Sequence, residues 1–241
     1  MVLLKIILFL KGILLDVFNL LFPRYCLICG TRLAASEEEL CNCCVMARPF
    51  QPIYGDNREN VMVRSLMGVM PIEKAQSMMH FYPESNLANV IYGMKYRNQP
   101  EVGFVLGRMC AKILLPTGFF DDIDLIVPVP LSKSRNKKRG YNQSEYVAMG
   151  ISKATGIKLS SHCLVREGFI QSQTHLSVWE RQDNVEGSFS VVDAAEIEGK
   201  HVLLIDDILT TGATVKSCGM EMTKKVENLR ISVLTIGHTS S

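Results

Sequence analysis

The sequence predicts an α/β protein, a parallel sheet flanked by helices, carrying a small cysteine-bearing module at its N-terminal side. Three observations predict it. Short β-branched runs alternate with segments of helical spacing through the C-terminal three quarters of the chain, which is the pattern of a parallel sheet with crossover helices. Hydrophobic residues make up 47% of the 241 residues, enough for a core that needs no disulfides. Five of the eight cysteines, Cys26, Cys29, Cys41, Cys43 and Cys44, fall between residues 26 and 44, a cluster that suits a metal better than a disulfide framework.

The elements follow in order. Over residues 1–22 an apolar run is broken by Lys5, Lys11, Asp16 and Asn19, well short of the ~18 uninterrupted residues of a spanning helix, and no small-residue cleavage site follows. On a helix, Lys5, Gly12, Asp16 and Asn19 form one narrow polar stripe. Two uses are open for this amphipathic helix: docking on the protein itself or a partner subunit, and a peripheral contact with a membrane surface. Pro23 ends it, so residues 1–24 form the first part, residues 25–50 the cysteine module, and residues 51–241 the main domain. The prolines at 49 and 52 and the Gly55-Asp56-Asn57 turn signal set that boundary.

Within the main domain, strand-like pieces are expected in residues 67–82, and helices over 85–96 and 102–115. The run Ile123 to Val129 reads as a strand buried on both faces. A helix over 142–155, an edge strand over 188–192, a buried strand over 201–205, a helix over 215–225 and a final strand over 230–236 complete the alternation.

Lys and Arg total 26 against 24 Asp and Glu, so the net charge of +2 gives no global attraction for a polyanion, and any such contact must come from local clustering. One cluster exists. After Pro130, Lys133, Arg135, Lys137, Lys138 and Arg139 place five cations within seven residues of a predicted loop on the ligand-facing end of the sheet. Tyr141 is the aromatic residue interleaved with it, which is little for a base-stacking platform.

The expected strand over 202–205 ends in Asp206 and Asp207, and ligands of open parallel sheets sit beyond such carboxyl ends. Carboxylates there accept hydrogen bonds from a vicinal diol and can hold Mg2+ through water. Thr210, Thr211, Gly212, Ala213 and Thr214 then lead into a helix; glycine frees backbone N–H groups to turn inward, the threonines add hydroxyls, and the helix N-terminus adds unpaired donors, a design that suits a phosphate ester.

The cysteines pair as two C-x2-C arms, Cys26/Cys29 and Cys41/Cys44, separated by eleven residues, a spacing that closes a tetrahedral Zn2+ with no position left open and so a structural one. Cys43 is surplus. Thiolates free to bind zinc point to a reducing compartment, the cytoplasm, with membrane association left to residues 1–22.

The run VLLIDDILTTGAT, Val202 to Thr214, resembles the signature of type I phosphoribosyltransferases. Together with the cysteine module, GMKYRNQ at 93–99 and PVPLSKSRNKKRGYNQSE at 128–145, it resembles the ComF family of competence-related proteins over almost the whole chain. A looser mark is Arg166, Gln173, Leu176, Arg181 and Asn184, similar to that family's mobile segment.

The resemblance implies a type I phosphoribosyltransferase-like sheet in which Asp206 and Asp207 contact the ribose hydroxyls of phosphoribosyl pyrophosphate. It implies further that Thr210 to Thr214 hold the 5-phosphate, the basic loop receives pyrophosphate with Arg139 to Gln143 at its border, and Mg2+ bridges ribose and pyrophosphate. Two functions follow as expectations: transfer of phosphoribose to an acceptor the sequence does not name, or a non-catalytic sensor that binds single-stranded DNA and competence proteins during DNA uptake. His175 is the one candidate base, and an ordinary surface histidine is the simpler reading. Lys95 and Arg97 fit either the site or a favourable charge at a helix C-terminus. A glutamine amidotransferase is not expected, since its nucleophile is an N-terminal cysteine and the cysteines nearest the start belong to the zinc arms.

Overall fold

The computed structural model describes residues 18, 20–46, 55–82, 84–166 and 188–239. The chain divides into two compact units, residues 1–49 and 50–241. Residues 18, 20 and 21 are helical, and the rest of the expected N-terminal helix lies outside the described residues.

In the first unit the backbone folds on itself. Tyr25 bridges Arg32 in antiparallel fashion, the Cys26 N–H bonds to the Thr31 carbonyl at 2.8 Å and the Gly30 N–H to the Cys26 carbonyl at 2.9 Å. This tight turn needs Gly30, whose φ is +70°, a left-handed value that a side chain disfavours. The Glu37 carboxylate accepts the Ala34 and Asn42 N–H groups, each at 2.7 Å, and so delivers the chain into α1 (Asn42–Met46).

The second unit runs α2 (Val61–Leu66), β1 (Ile72–His80), α3 (Asn86–Tyr96), α4 (Pro100–Leu114), a 3-10 turn (Leu115–Thr117), β2 (Leu125–Pro128), α5 (Lys133–Arg139), α6 (Gln143–Thr155), β3 (Lys158–Leu159), β4 (Leu164–Arg166), β5 (Phe189–Val191), β6 (His201–Leu209), α7 (Ala213–Lys225) and β7 (Arg230–His238). Five strands form one sheet in the order β1-β7-β6-β2-β3, every pair parallel. This is the parallel sheet with flanking helices expected of a phosphoribosyltransferase-like domain.

Alternation along β6 divides the core. Val202 and Leu204 join Leu125, Val127, Ile231 and Val233 in a cluster with Met62 and Leu66 of α2, Val215 and Met222 of α7, and Leu164 and Phe189. The opposite face is covered by α6, which packs on β6 and β2 and closely on α4. Both faces are buried, which is why the strands read as continuous apolar runs.

Three expectations are corrected. The strand over 188–192 does not extend the main sheet: β5 pairs antiparallel with β4 in a separate two-stranded sheet, and the edge belongs to β3, too short to leave a periodicity. The basic stretch after Pro130 is not a loop: Ser132 accepts the Arg135 N–H, Gly140 at φ +81° closes the other end, and Lys133–Arg139 between them are helical. The strand expected to stop at Ile205 continues to Leu209, because β7 keeps pairing with it (Asp206 with Thr235, Ile208 with Gly237, Leu209 with His238) after β2 has ended.

Candidate functional site

That difference in length builds the site. β2 matches β6 only up to Pro128 opposite Ile205, and the Val129 N–H makes a last bond to the Ile205 carbonyl at 2.9 Å. From Asp206 onward β6 is held on the β7 side, and its other flank faces the start of α6. There Asn142 caps the helix by accepting the Ser144 N–H at 3.2 Å, while its amide donates to the Val129 carbonyl at 3.0 Å, fixing α6 to the end of β2. Ser144, thus placed, donates its hydroxyl to Asp206 Oδ1 at 3.1 Å.

The two acids differ. Asp206 Oδ1 also accepts the Asp207 N–H at 2.8 Å, and its carboxyl is pushed up to about 7 by burial and then by the neighbouring charge of Asp207, with Lys95 and Ser144 pulling the other way. The residue as a whole is half-buried. Asp207 turns to Lys95, whose Nζ lies 2.9 Å from its Oδ2. Lys95, from the last turn of α3, is therefore part of the acidic pair's surroundings and not only a helix-end charge.

Beyond β6, Thr210 and Thr211 are exposed, and Gly212 takes φ +76° at the N-cap of α7. A glycine cap offers no side-chain acceptor, so the helix starts without one from its own cap; Thr211 Oγ1 reaches the Ala213 N–H only at 3.4 Å. Thr214 is half-buried in the first turn. Oriented N–H donors and hydroxyls at a helix start favour an anion.

On α5, Lys133, Arg135, Lys137 and Lys138 are exposed and have no ion-pair partner among the described residues. Arg139 is half-buried: its guanidinium donates to Gln143 Oε1 at 2.8 Å and lies 5.2 Å from the centroid of the Tyr96 ring. Gln143 is buried, and its Nε2 has no hydrogen-bond partner among the described residues, a donor facing a place where an acceptor is missing. Arg166, at the end of β4, stacks at 5.1 Å over the Phe189 ring; burial and then the Arg135 charge lower its pKa. Gln173, His175, Leu176, Arg181 and Asn184 lie outside the described residues.

Sequence reasoning missed an aromatic surface next to these cations. Tyr92 and Tyr96, one turn apart on α3, have ring centroids 6.2 Å apart, and Phe81 lies 6.2 Å from Tyr92. Tyr96 is 67% exposed and Tyr82 62%. Tyr141 is not the platform residue: its hydroxyl donates to the Met94 carbonyl and its ring packs edge-on against Tyr146. The i, i+4 spacing of Tyr92 and Tyr96 in the sequence was the available signal; their proximity to Arg139 was not.

A cavity of about 590 Å3 opens at the other, amino end of the strands, lined by Asp56, Arg58, Lys74, Thr117 and Asp122. Its buried Lys74 spends its ammonium on the Phe119 and Asp121 carbonyls at 3.2 and 2.7 Å and on Asp122 Oδ1 at 2.7 Å, so the charged wall closes on itself.

In the first unit the sulfurs of Cys26, Cys29, Cys41 and Cys44 lie within 4.8 Å of one another, and those of Cys29 and Cys41 are 3.6 Å apart. The set fits one tetrahedral zinc ion, and Cys43 points outward, exposed. The Cys29 thiol is drawn down to about 6, first by the Thr31 side chain and then by the Thr31 backbone, while burial raises that of Cys44. No helix among the described residues is long and apolar enough to cross a membrane.

No family model matches the chain. Among curated proteins it is 26% identical over 203 residues to the DNA utilization protein YhgH of Salmonella typhi, covering 80% of this chain and 88% of that one. Competence protein F of Haemophilus influenzae is 27% identical over 154 residues, 62% of this chain and 66% of the relative. Competence protein ComFC of Bacillus subtilis is 31% identical over 112 residues, 46% and 43% of the two chains. Among solved structures, glutamine phosphoribosylpyrophosphate amidotransferase from B. subtilis, complexed with ADP and GMP, superposes with a TM-score of 0.36 at 19% identity; 56% of this chain is covered and 26% of that one. The ligands of that enzyme remain properties of that enzyme. These relatives, named for DNA utilization and competence, support the assignment of the chain to the ComF family of competence-related proteins.

Proposed function

We propose that this phosphoribosyltransferase-like competence protein binds phosphoribosyl pyrophosphate with Mg2+ and transfers its phosphoribosyl group to an acceptor, within a domain of residues 51–241 that follows a zinc module at 25–50 and a helix at 1–24. The observation that carries the reading is the junction of β6 and α7. Asp206 and Asp207 stand on a flank of β6 that β2 has left open, and the glycine-capped start of α7 follows within a few residues. Carboxylates accept from a ribose diol, and the donors of Thr210 to Thr214 take the 5-phosphate. Mg2+, a hard cation served by oxygen ligands, would neutralise charge between ribose and pyrophosphate oxygens.

The cations of α5 and the orphaned Gln143 amide supply donors for the pyrophosphate, and preorganised donors of this kind stabilise a departing anion. Calorimetry tests the reading. The wild type takes up the donor in the presence of Mg2+, and Asp206→Asn/Asp207→Asn does not; a wild type that takes up none ends the proposal. The free thiolates of the cysteine arm favour the cytoplasm.

A second function rests on a separate observation. Tyr92 and Tyr96, with Arg139 beside the Tyr96 ring and Lys137 and Lys138 preceding it on α5, make a stacking surface edged with positive charge, the combination that holds single-stranded nucleic acid. Relatives named for DNA utilization and competence support it. Binding of a single-stranded oligonucleotide should weaken steeply with salt and fall in both Tyr96→Ala and the Lys137→Ala/Lys138→Ala/Arg139→Ala variant. Unchanged binding in both removes this reading.

A further inference from the structure

At the β3 edge of the sheet a second group of metal-ligating side chains converges. His162 comes from the segment between β3 and β4, and Asp193 and Glu196 from the turn after β5. One ligand atom from each lies within 4.8 Å of the other two, and His162 Nε2 is 3.6 Å from Glu196 Oε2. That last distance is close to the edge of about 3.4 Å of a tetrahedron drawn with Zn–N and Zn–O bonds near 2.1 Å.

The cluster is built on fixed backbone. The Val192 N–H bonds to the Cys163 carbonyl at 2.8 Å, joining the two segments beside the cluster, and the Ser160 N–H bonds to the Ile126 carbonyl at 2.9 Å, tying it to the sheet. The Glu196 side chain is 9% exposed, and each of its oxygens has a partner: Lys158 Nζ stands 2.8 Å from Oε1, and the Ser160 hydroxyl donates to Oε2. Asp193 Oδ1 accepts the Glu196 N–H at 3.1 Å, which sets the two carboxylates side by side.

Two carboxylates and an imidazole from two separate stretches of chain are more than a patch of surface acid. A sequestered carboxylate already demands a cation, and Lys158, 64% exposed along its side chain, supplies one that can swing away into water. The Ser160 hydroxyl orients Glu196 from behind, as outer partners orient metal ligands. His162 is 75% exposed and free to close the remaining distance.

We infer that His162, Asp193 and Glu196 form a second Zn2+ site, one nitrogen and two oxygen ligands with a fourth position open to water, which staples the base of the β4–β5 ribbon to the sheet edge. The imidazole selects zinc or a similar borderline ion over Mg2+. The site stands or falls independently of the phosphoribosyl pyrophosphate reading.

Zinc stoichiometry tests it on the full chain. After equilibration with Zn2+ and dialysis, the wild type should hold two ions, of which a thiol-blocking mercurial releases the one bound by cysteine and leaves the other. His162→Ala and Asp193→Ala should each hold one ion, all of it released by the mercurial. With Co2+ in place of Zn2+, the second equivalent should add weak visible bands with no thiolate charge transfer. One ion in the wild type, or two in both variants, overturns the site.

Discussion

Lys95 Nζ and Asp207 Oδ2 stand 2.9 Å apart, with side chains only 17% and 13% exposed. At that burial the pair is screened little by water, and removing one member leaves the other uncompensated. Lys95→Met should therefore lower the unfolding free energy by about 3 kcal/mol, and Lys95→Met/Asp207→Leu should recover most of that loss. Arg97, exposed two residues on, should lose under about 0.5 kcal/mol as Ala. Urea denaturation of the three variants and wild type checks the set; equal losses at 95 and 97 would remove the pair from the site.

Asp206 carries a cost that grows with pH. Its carboxyl titrates at about 7 in the folded chain against an ordinary value of 3.8. Between those values the folded state holds a proton that the unfolded state has released, so stability falls as pH rises through the window. Asp206→Asn removes the titration. The variant should gain on wild type as pH goes from 5 to 8, by on the order of 2 kcal/mol, even as donor uptake is lost. Thermal melts at the two pH values read the gap, and a gap independent of pH would refute the assignment.

Much of this site was legible before any coordinates. Buried strands announce themselves as apolar runs, and the order acid, acid, threonine, glycine after one of them marks the glycine-capped turn into α7. What the sequence hid was pairing. Nothing in residues 202–209 says that β2 ends at Pro128, opposite Ile205, while β7 continues, so Asp206 was expected after the strand and stands within it. The helix over Lys133–Arg139 was hidden by charge, because its exposed cations show no apolar periodicity; only Ser132 and Gly140, the caps, signalled it. Lys95 and Tyr96 met Asp207 and Arg139 through tertiary packing, which no local pattern encodes.

The seat of α6 depends on two glycines. A Cβ on Gly107 of α4 would fall 2.0 Å from the Val147 carbonyl oxygen, and one on Gly150 of α6 would fall 2.1 Å from that of Phe104. Backbone opposes backbone there, so neither contact can relax by a rotamer change. Gly107→Ala and Gly150→Ala should each cost about 3 kcal/mol despite the better helix propensity of alanine, and should weaken donor uptake by shifting Ser144 from Asp206. Tm and calorimetry together report both effects.

Among the clustered cysteines, Cys43 and Cys44 make a controlled comparison. Cys44 belongs to the set of four sulfurs and Cys43 faces outward. Cys43→Ser should keep the mercurial-released zinc ion, and Cys44→Ser should lose it or bind it at least tenfold more weakly. Removal of the ion by a chelator should unfold residues 25–46 while the melting of the sheet persists, which limited proteolysis would show as cleavage confined to the N-terminal unit.

Because β6 outruns β2 over Asp206–Leu209, the hydrogen bonds that keep the strand in register and the carboxylates on its free side answer to different neighbours. β7 secures the ledge, and among the described residues no strand pairs with β6 on its other side beyond Ile205. Exchange of an acid there changes what the ledge can hold without unzipping the strand that supports it. Descent can therefore retune the chemistry of this ledge, residue by residue, on an architecture that does not have to move.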